Sequence, residues 1–305
     1  MSGIRSVLRP PLRSALRGGQ TAEAAFVGPL DLLSTPAVAA WSVARRLTRS
    51  YDGPLIRLRR TSDDAEMDFG FDGAGDLLVA EIATWLSGND GRVATIFDQS
   101  GNEENFEQTN LSQQPLFSFD GCGDESRPGF QVLTGHFLSR QSSNLDNLWN
   151  PIGMTLQIIY TLSNSPAQGR YIVQKSNATL FQNWYIALLN STKICFNRCS
   201  DASSVQYGPG YNETTKATYV DLIASAANPS TVPTWLRNGA SISSMFVGGV
   251  GAGVASEAGV ALAWPAKASG QQEGVYSELI LFRGASDPPG FGKLNEKTTD
   301  YFNGL

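Results

Sequence analysis

The strongest constraint on the fold is a series of short apolar runs in the second half of the chain, separated by clusters of Gly, Asn, Ser and Pro. The runs include MTLQIIYTL, KICFNRC, ATYVDLIAS and VYSELILFRG. Short strands that recur every roughly 8–15 residues between turn residues are typical of a two-sheet sandwich or jelly roll. The low content of charged residues, 17%, and the 31 glycines fit a β-rich protein with many turns. We therefore predict a mainly β sandwich.

Three local patterns add detail to this prediction. Asn238-Gly239 suits the positive φ angles of a primed turn and predicts a tight hairpin. In GDLLVAEIATWL the apolar residues have the spacing of an amphipathic helix, which we expect outside the sandwich. The last residues, from about Leu294 to Phe302, predict a terminal helix. The expected fold is thus a jelly roll with one or two peripheral helices and an extended N-terminal arm.

The arm has an arginine at every fourth position and leucines between them. Pro10 and Pro11 interrupt a helix at this point, so we expect an extended or two-part segment. Residues 1–60 hold ten arginines and three acids, a net charge of +7, while the rest of the chain holds −12. A basic segment before an acidic body predicts an anchor for a partner protein. The residues predicted to anchor it are Arg5, Leu8, Arg9, Leu12, Arg13, Leu16 and Arg17.

The chain therefore divides into three predicted parts: a basic anchoring arm over 1–20, a helical connector over 21–50 and a jelly-roll domain over 51–305. In the connector, TPAVAAWSVARRLT has Thr35 as a potential N-cap and Pro36 in the first turn, which favours a short helix. No internal repeat is visible in the chain.

The residue types exclude several kinds of chemistry. His136 is the single histidine, so the chain holds few of the residues that a zinc site or a Ser-His or Cys-His catalytic pair requires. Of the three cysteines, Cys195 and Cys199 would lie about 13 Å apart along an extended strand, which favours free thiols. We expect no cofactor, although Asp124 and Glu125 could help to hold Ca²⁺. Neither a membrane nor nucleic acid is an expected partner.

Three resemblances bear on function. Gly274, Glu278, Leu279, Leu281 and Phe282 match the last strand of concanavalin-like, laminin-G-like jelly rolls. The segments YDGPLIRLRRTSDDAEMDFGF and VATIFDQSGN resemble the first part of the arabinofuranosidase B catalytic domain, which implies a related sandwich. The arginine- and leucine-rich leader before such a body resembles virion proteins of tailed bacteriophages, including tail-fibre components and head decorations.

A retaining glycosidase needs two carboxylates roughly 5 Å apart. Residues 126–256 hold four acids, Asp146, Asp201, Glu213 and Asp221, and none matches a catalytic strand of the arabinofuranosidases. Asp98 is expected to cap a turn, and Glu278 is expected to be structural. These observations predict no catalytic residue and a chain that is not an enzyme.

Trp149 is the one predicted carbohydrate-binding residue, whereas Trp184 and Trp264 lie in apolar runs and are expected in the core. The resulting prediction is a bacteriophage virion structural protein, either a surface decoration or a tail-fibre component. Its expected partners are capsid or tail proteins of the virion and further copies of itself, with a host-surface glycan as an additional candidate. The alternatives are an α-L-arabinofuranosidase-like glycoside hydrolase and, third, a free carbohydrate-binding lectin module.

Overall fold

The computed structural model describes residues 26–146, 148, 153–162, 170–175, 183–189, 193–200, 203–209, 217–226, 231–248, 260–265, 272–284 and 290–304. Two helices are α1 (Val79–Leu86) and α2 (Phe291–Asn303). The strands are β1 (Ala39–Ser42), β2 (Ile56–Arg60), β3 (Glu66–Phe69), β4 (Gly91–Ile96), β5 (Phe106–Glu107), β6 (Leu116–Cys122), β7 (Arg127–Val132), β8 (Leu138–Arg140), β9 (Met154–Leu162), β10 (Arg170–Lys175), β11 (Asn183–Leu189), β12 (Lys193–Ser200), β13 (Ser203–Pro209), β14 (Thr218–Ser225), β15 (Thr234–Arg237), β16 (Ala240–Ile242), β17 (Ser244–Gly248), β18 (Leu262–Trp264) and β19 (Gly274–Arg283).

The first sheet is centred on the two longest strands, β9 and β19, which pair along their whole length. Strand β14 continues the sheet on the far side of β9, followed by β15 and β16. The other edge of β19 is shared, because β7 pairs with its first residues and β1 with its later ones. Strand β6 then pairs with β7. This arrangement brings β1, near the start of the described chain, beside the last strand.

The second sheet has the strand order β3-β2-β4-β5-β8-β18-β10-β11-β12-β13-β17. Aromatic side chains fill the space between the sheets. The rings of Trp41 and Phe106 have centroids 4.3 Å apart, and Phe130 meets Trp264 edge-on at 4.9 Å. Each pair joins one sheet to the other and is buried in one large apolar cluster. The predicted mainly β sandwich is therefore confirmed.

Helix α2 covers the outer face of the first sheet. Phe291 and Leu294 of the helix are buried against Leu222, Ile280 and Phe282 of the sheet. Strand β9 is buried along its whole length, with Leu156, Ile158 and Tyr160 in the core between the sheets and Ile159 against Phe302 of α2 on the other face. The predicted terminal helix is confirmed, and it adds a third layer to the sandwich.

Two further local predictions are confirmed. Helix α1 buries Ile82 and Leu86 in the main core and places Trp85 beside Phe69, with ring centroids 5.4 Å apart. Asn238 and Gly239 join β15 to β16 with φ angles of 49° and 80°. Both angles are positive, as a primed turn requires.

The helix predicted over 35–48 is wrong, because Ala39–Ser42 of this stretch forms β1. Strand β1 pairs with β19 and is buried on both faces, with Trp41 between the sheets and Ala40 under α2. The alanines favour a helix locally, but their small side chains also fit between a sheet and a helix. Tertiary burial therefore overrides local propensity at this position.

Neither α1 nor α2 combines the length and apolar character that a membrane-spanning helix requires. The predicted anchoring arm over 1–20 lies outside the described residues, as does Trp149. The division of the chain into arm, connector and jelly roll remains a prediction.

Candidate functional site

The enzyme-like motif DQSG at 98–101 ties β4 to β1. Asp98 Oδ1 accepts hydrogen bonds from the amides of Ala40 (2.8 Å) and Ser100 (3.0 Å). Its Oδ2 accepts from the Ser100 hydroxyl (2.7 Å) and from the amide of Glu104 (3.1 Å). With all four bonds made and the residue 5% exposed, Asp98 holds a turn together and is not placed to meet a substrate.

Gln99 continues the same connection. Its side-chain oxygen accepts from the amide of Leu47 (2.7 Å), and its side-chain nitrogen donates to the carbonyl of Arg45 (3.1 Å). Its own amide donates to the carbonyl of Ala40 (2.7 Å). The motif therefore fastens residues 40–47 to the sandwich through hydrogen bonds that a buried backbone requires.

Two other carboxylates that could attract a catalytic interpretation are also bound within the fold. Glu278 accepts two hydrogen bonds from Arg45, at 3.0 and 3.1 Å, and is fully buried. Asp221 accepts two from Arg237, both at 2.6 Å, and one from the hydroxyl of Tyr160 at 2.7 Å. Forked arginine-carboxylate pairs of this kind fix the geometry of both side chains. Neither carboxylate reaches solvent.

A groove of about 410 Å³ opens beside the DQSG turn, and it is the candidate site. It lies between the segment before β1, the turn after β4, the 143–146 turn and the end of β19. Its lining residues are Thr35, Pro36, Ala37, Val38, Ser100, Asn102, Asn144 and Arg283. Hydroxyl, amide and guanidinium groups thus converge on one opening. Such groups suit hydrogen bonding to a polyhydroxylated ligand.

Two acids are connected to Asn144 without lining the groove themselves: Glu104 through a hydrogen bond, and Asp146 two positions further along the chain. Glu104 is 1% exposed and receives a hydrogen bond from Arg140 Nε at 2.8 Å. Burial would raise the pKa of Glu104, but hydrogen bonds that include those from Arg140 and Asn144 outweigh burial and hold that pKa below its ordinary value of 4.5. Glu104 is therefore an ionised, buried group that orients the groove wall.

Asp146 is the more accessible of the two, with 16% of its side chain exposed. Its Oδ1 lies 3.3 Å from Nζ of the buried Lys175. Arg283 Nη2 donates to the carbonyls of Asn144 (2.7 Å) and Asp146 (3.2 Å). Arg283 and Asn144 therefore line one side of the groove, and the turn that carries Asp146 is held directly behind them.

The structure shows where the tryptophans, cysteines and acids singled out from the sequence lie. Trp184 and Trp264 are fully buried, as predicted, and so is Trp235. Cys122 and Cys195 are buried thiols, and burial raises the pKa of Cys122 to about 12. Within the residues that the structure describes, no group of three or more His, Cys, Asp or Glu side chains could hold a metal ion, so Asp124 and Glu125 do not form part of such a cluster.

Glu104, Asn144 and Arg283 were not identified from the sequence as site residues. Glu104 belongs to the polar stretch SGNEENF, which begins at Ser100 within the DQSG motif. Nothing in that stretch indicates that one of its acids is buried. Arg283 ends the β19 pattern, and Asn144 lies in a short turn before β9. Arg283 pairs with Met154 of β9 and donates to the carbonyl of Asn144, which hydrogen-bonds Glu104, so the three residues meet through contacts between distant parts of the chain.

The N-terminal part of the chain is similar in sequence to known proteins. Residues 31–125 match the family model described as the catalytic domain of α-L-arabinofuranosidase B. The α-L-arabinofuranosidase B of Penicillium canescens is 32% identical over 149 residues, which are 48% of this chain and 26% of that protein. A probable α-L-arabinofuranosidase B of Aspergillus fumigatus is 33% identical over 158 residues, 50% of this chain and 26% of that protein. The aligned region thus spans about a quarter of these curated relatives.

The fold extends the similarity beyond the front segment. The structure of a glycoside hydrolase family 54 α-L-arabinofuranosidase, a point mutant soaked with 4-nitrophenyl α-L-arabinofuranoside, superposes with a TM-score of 0.68. That comparison covers 90% of this chain and 66% of the other, at 16% sequence identity. A second structure of such an enzyme, soaked with a cyclic sulfate inhibitor, gives a TM-score of 0.65 with the same coverage. At this identity the comparison establishes a shared fold.

These findings overturn three predictions made from the sequence. The sequence patterns predict a virion structural protein, a location in the virion and no enzymatic function. The family model and the fungal relatives point instead to similarity with α-L-arabinofuranosidases, the stated alternative, and the structural neighbours share the fold. The prediction is wrong because it gives weight to a leader that resembles phage proteins and takes the lack of a recognisable carboxylate pair as evidence against an enzyme.

Proposed function

We propose that this chain is a glycoside hydrolase that acts on α-L-arabinofuranosides. The observation that carries the proposal is the match of residues 31–125 to the arabinofuranosidase B catalytic domain, in a chain that shares its fold with such enzymes over 90% of its length. The polar groove supports it, because the groove offers hydrogen-bonding groups of the kind that a sugar requires.

In this proposal the groove binds the terminal sugar, and Asp146 is the described carboxylate that acts beside it. Asn102, Asn144 and Arg283 would bind the sugar hydroxyls. Glu104 would keep Asn144 in place through its hydrogen bond. The reaction needs a second carboxylate, about 5–5.5 Å away for retention of configuration and about 6.5–9.5 Å away for inversion.

Amide substitutions can identify that second carboxylate. The acids that lie outside the described residues in the second half of the chain are Asp201, Glu213, Glu257 and Asp287. Each would be replaced by Asn or Gln in turn. The partner is the position at which the substitution abolishes turnover but leaves folding intact.

The test of the site compares purified wild-type protein with the D146N variant. The substrate is 4-nitrophenyl α-L-arabinofuranoside, and a 4-nitrophenyl pyranoside serves as the specificity control. We expect turnover of the furanoside by the wild type and a loss of at least about 100-fold in D146N. D300N is the matched control, because Asp300 is a partly exposed acid on α2 that pairs with Lys297. Wild-type turnover that persists in D146N would move the site away from the groove.

A further inference from the structure

Lys175 is an unusual residue for its position. It is the last residue of β10, lies in register with Trp184 of β11 and Leu262 of β18, and is fully buried. Removing an ammonium group from water is costly unless partners replace the lost solvation. A buried lysine among aromatic and aliphatic residues therefore requires a physical reason.

The contacts of Lys175 lead from the interior to the groove. Nζ donates to the carbonyl of Val260 at 2.8 Å and lies 3.3 Å from Oδ1 of Asp146. Asp146 follows the 3₁₀ turn Ser143–Leu145, whose Leu145 is buried in the main core. The Lys175 side chain inside the second sheet thus contacts a turn whose Asn144 lines the candidate site.

The same turn is held from the first sheet. Arg283, at the end of β19, donates to the carbonyls of Asn144 and Asp146. Lys175 and Arg283 therefore approach the 143–146 turn from different sheets, one through the Asp146 side chain and one through the backbone. Two cations on one short turn restrict both its position and its rotation.

A gain in stability alone does not explain why Lys175 and Asp146 form an ion pair at this position. Buried ion pairs seldom stabilise a protein more than apolar residues of the same size would, because desolvation offsets the attraction. Fixing one geometry is a use that an ion pair serves better than an apolar contact. The carboxylate that Lys175 meets belongs to the residue two positions after Asn144, which lines the groove, so a fixed geometry of this turn matters for a ligand.

We propose that Lys175 is a positioning residue for the candidate site: it fixes Asp146, and with it the 143–146 wall of the groove, in the orientation that a bound sugar meets. The proposal deepens the proposed function and rests on it for the identity of the ligand. The fixing of the turn itself is a property of the unliganded protein and can be measured without any substrate.

The experiment uses the full chain with K175M, K175R and D146A, and with K297M as the matched control. Lys297 is 63% exposed on α2, so its replacement by methionine makes the same chemical change far from the groove. Hydrogen exchange of a peptide covering 143–146 reports the turn. We expect exchange about tenfold faster in K175M and D146A, wild-type exchange in K297M, and partial or full recovery in K175R.

The kinetic readout separates positioning from a purely structural role. If the wild type hydrolyses an aryl arabinofuranoside, K175M should lower kcat by about tenfold or more with a smaller change in KM, because misplacement of a reacting group costs most in the transition state. K175R should recover much of that loss. A wild type without turnover would contradict the proposed function, while the exchange data would still decide the positioning of the turn.

Equal exchange of the 143–146 peptide in wild type, K175M and D146A would overturn the proposal. Should K175M fail to fold, D146A removes the same contact from the exposed side and decides the question alone. Faster exchange throughout the sandwich in every variant, without a local effect at 143–146, would assign Lys175 to general stability and would also overturn the proposal.

Discussion

The carboxylate of Asp98 accepts the amide hydrogen of Ala40 at 2.8 Å, and this contact joins two segments that are 58 residues apart in the chain. Ala40 lies in β1, which pairs with β19, and Asp98 lies in the turn after β4. The DQSG motif is therefore one of the points at which the two sheets are joined, besides the pairing of β4 with β6. Asp98 lies within the segment that matches the family model, but it serves the fold and not as a reacting group.

The first prediction concerns the stability that Asp98 provides. D98A should lower the free energy of unfolding by about 3 kcal/mol, since it leaves buried amide donors without their charged acceptor. Urea denaturation followed by tryptophan fluorescence measures the effect. D120A is the control, because Asp120 is exposed on β6 and should change stability by less than about 0.5 kcal/mol. Equal stabilities of the two variants would show that the Asp98 contacts contribute nothing.

The second prediction concerns the ion pair between Arg45 and Glu278. R45M should destabilise the protein by about 3–5 kcal/mol, because it leaves a fully buried carboxylate without its partner. The double variant R45M/E278M removes both charges and should recover much of that loss. A double-mutant cycle measures the coupling, for which we expect about 2 kcal/mol. Additive effects of the two single substitutions would contradict this expectation.

The third prediction concerns His136 and pH. Burial and the nearby Arg92 guanidinium, whose Nη1 lies 3.1 Å from His136 Nε2, hold the pKa of His136 below its ordinary value of 6.5. The unfolded chain therefore binds a proton more readily than the folded one, and stability should begin to fall as the pH drops through about 6.5.

Melting temperatures at pH 8 and pH 5 measure the effect of His136. In H136N the difference between the two pH values should shrink, because asparagine does not titrate in this range. An unchanged pH dependence in H136N would assign the loss of stability at low pH to other groups.

The fourth prediction concerns the basic arm. Among the described residues, all members of the buried apolar clusters, including the partly buried residues packed on them, come from position 30 onward. Deleting residues 1–20 should therefore change the melting temperature by less than about 2 °C. Calorimetry of both forms measures this. A drop of more than about 5 °C would show that the arm contributes to the core and would contradict its prediction as a separate anchor.

Local patterns predicted those parts of the fold that local physics determines. The Asn238-Gly239 hairpin, the amphipathic α1 and the run that forms β9 could all be identified because turn chemistry and apolar periodicity act over a few residues. Strand β1 could not, since its alanines adopt an extended conformation only because β19 pairs with it. The short strands β5 and β8 likewise depend on neighbours far along the chain.

The candidate site was harder to predict than the fold. Its wall combines Asn144, Arg283 and the segment before β1, which the sequence separates by more than a hundred residues. The sequence indicates Asp98 most clearly as a candidate acid, because it lies in the DQSG motif, but its hydrogen bonds stabilise the fold. Asp146 is one of the four acids of residues 126–256, and the sequence predicts no role for it, although it contacts Lys175. Only the paired sheets show which carboxylates are bound by arginine and that the turn carrying Asp146 contributes Asn144 to an open groove.

The proposed hydrolase activity is tested most directly by a time course of arabinose release from an aryl α-L-arabinofuranoside, followed by proton NMR with the purified protein. We expect free arabinose to appear at a rate proportional to protein concentration, and we expect D146N to abolish the signal at equal concentration. Arabinose no higher than in buffer alone, from protein that is folded by circular dichroism, would contradict the assignment of this chain as an arabinofuranoside hydrolase.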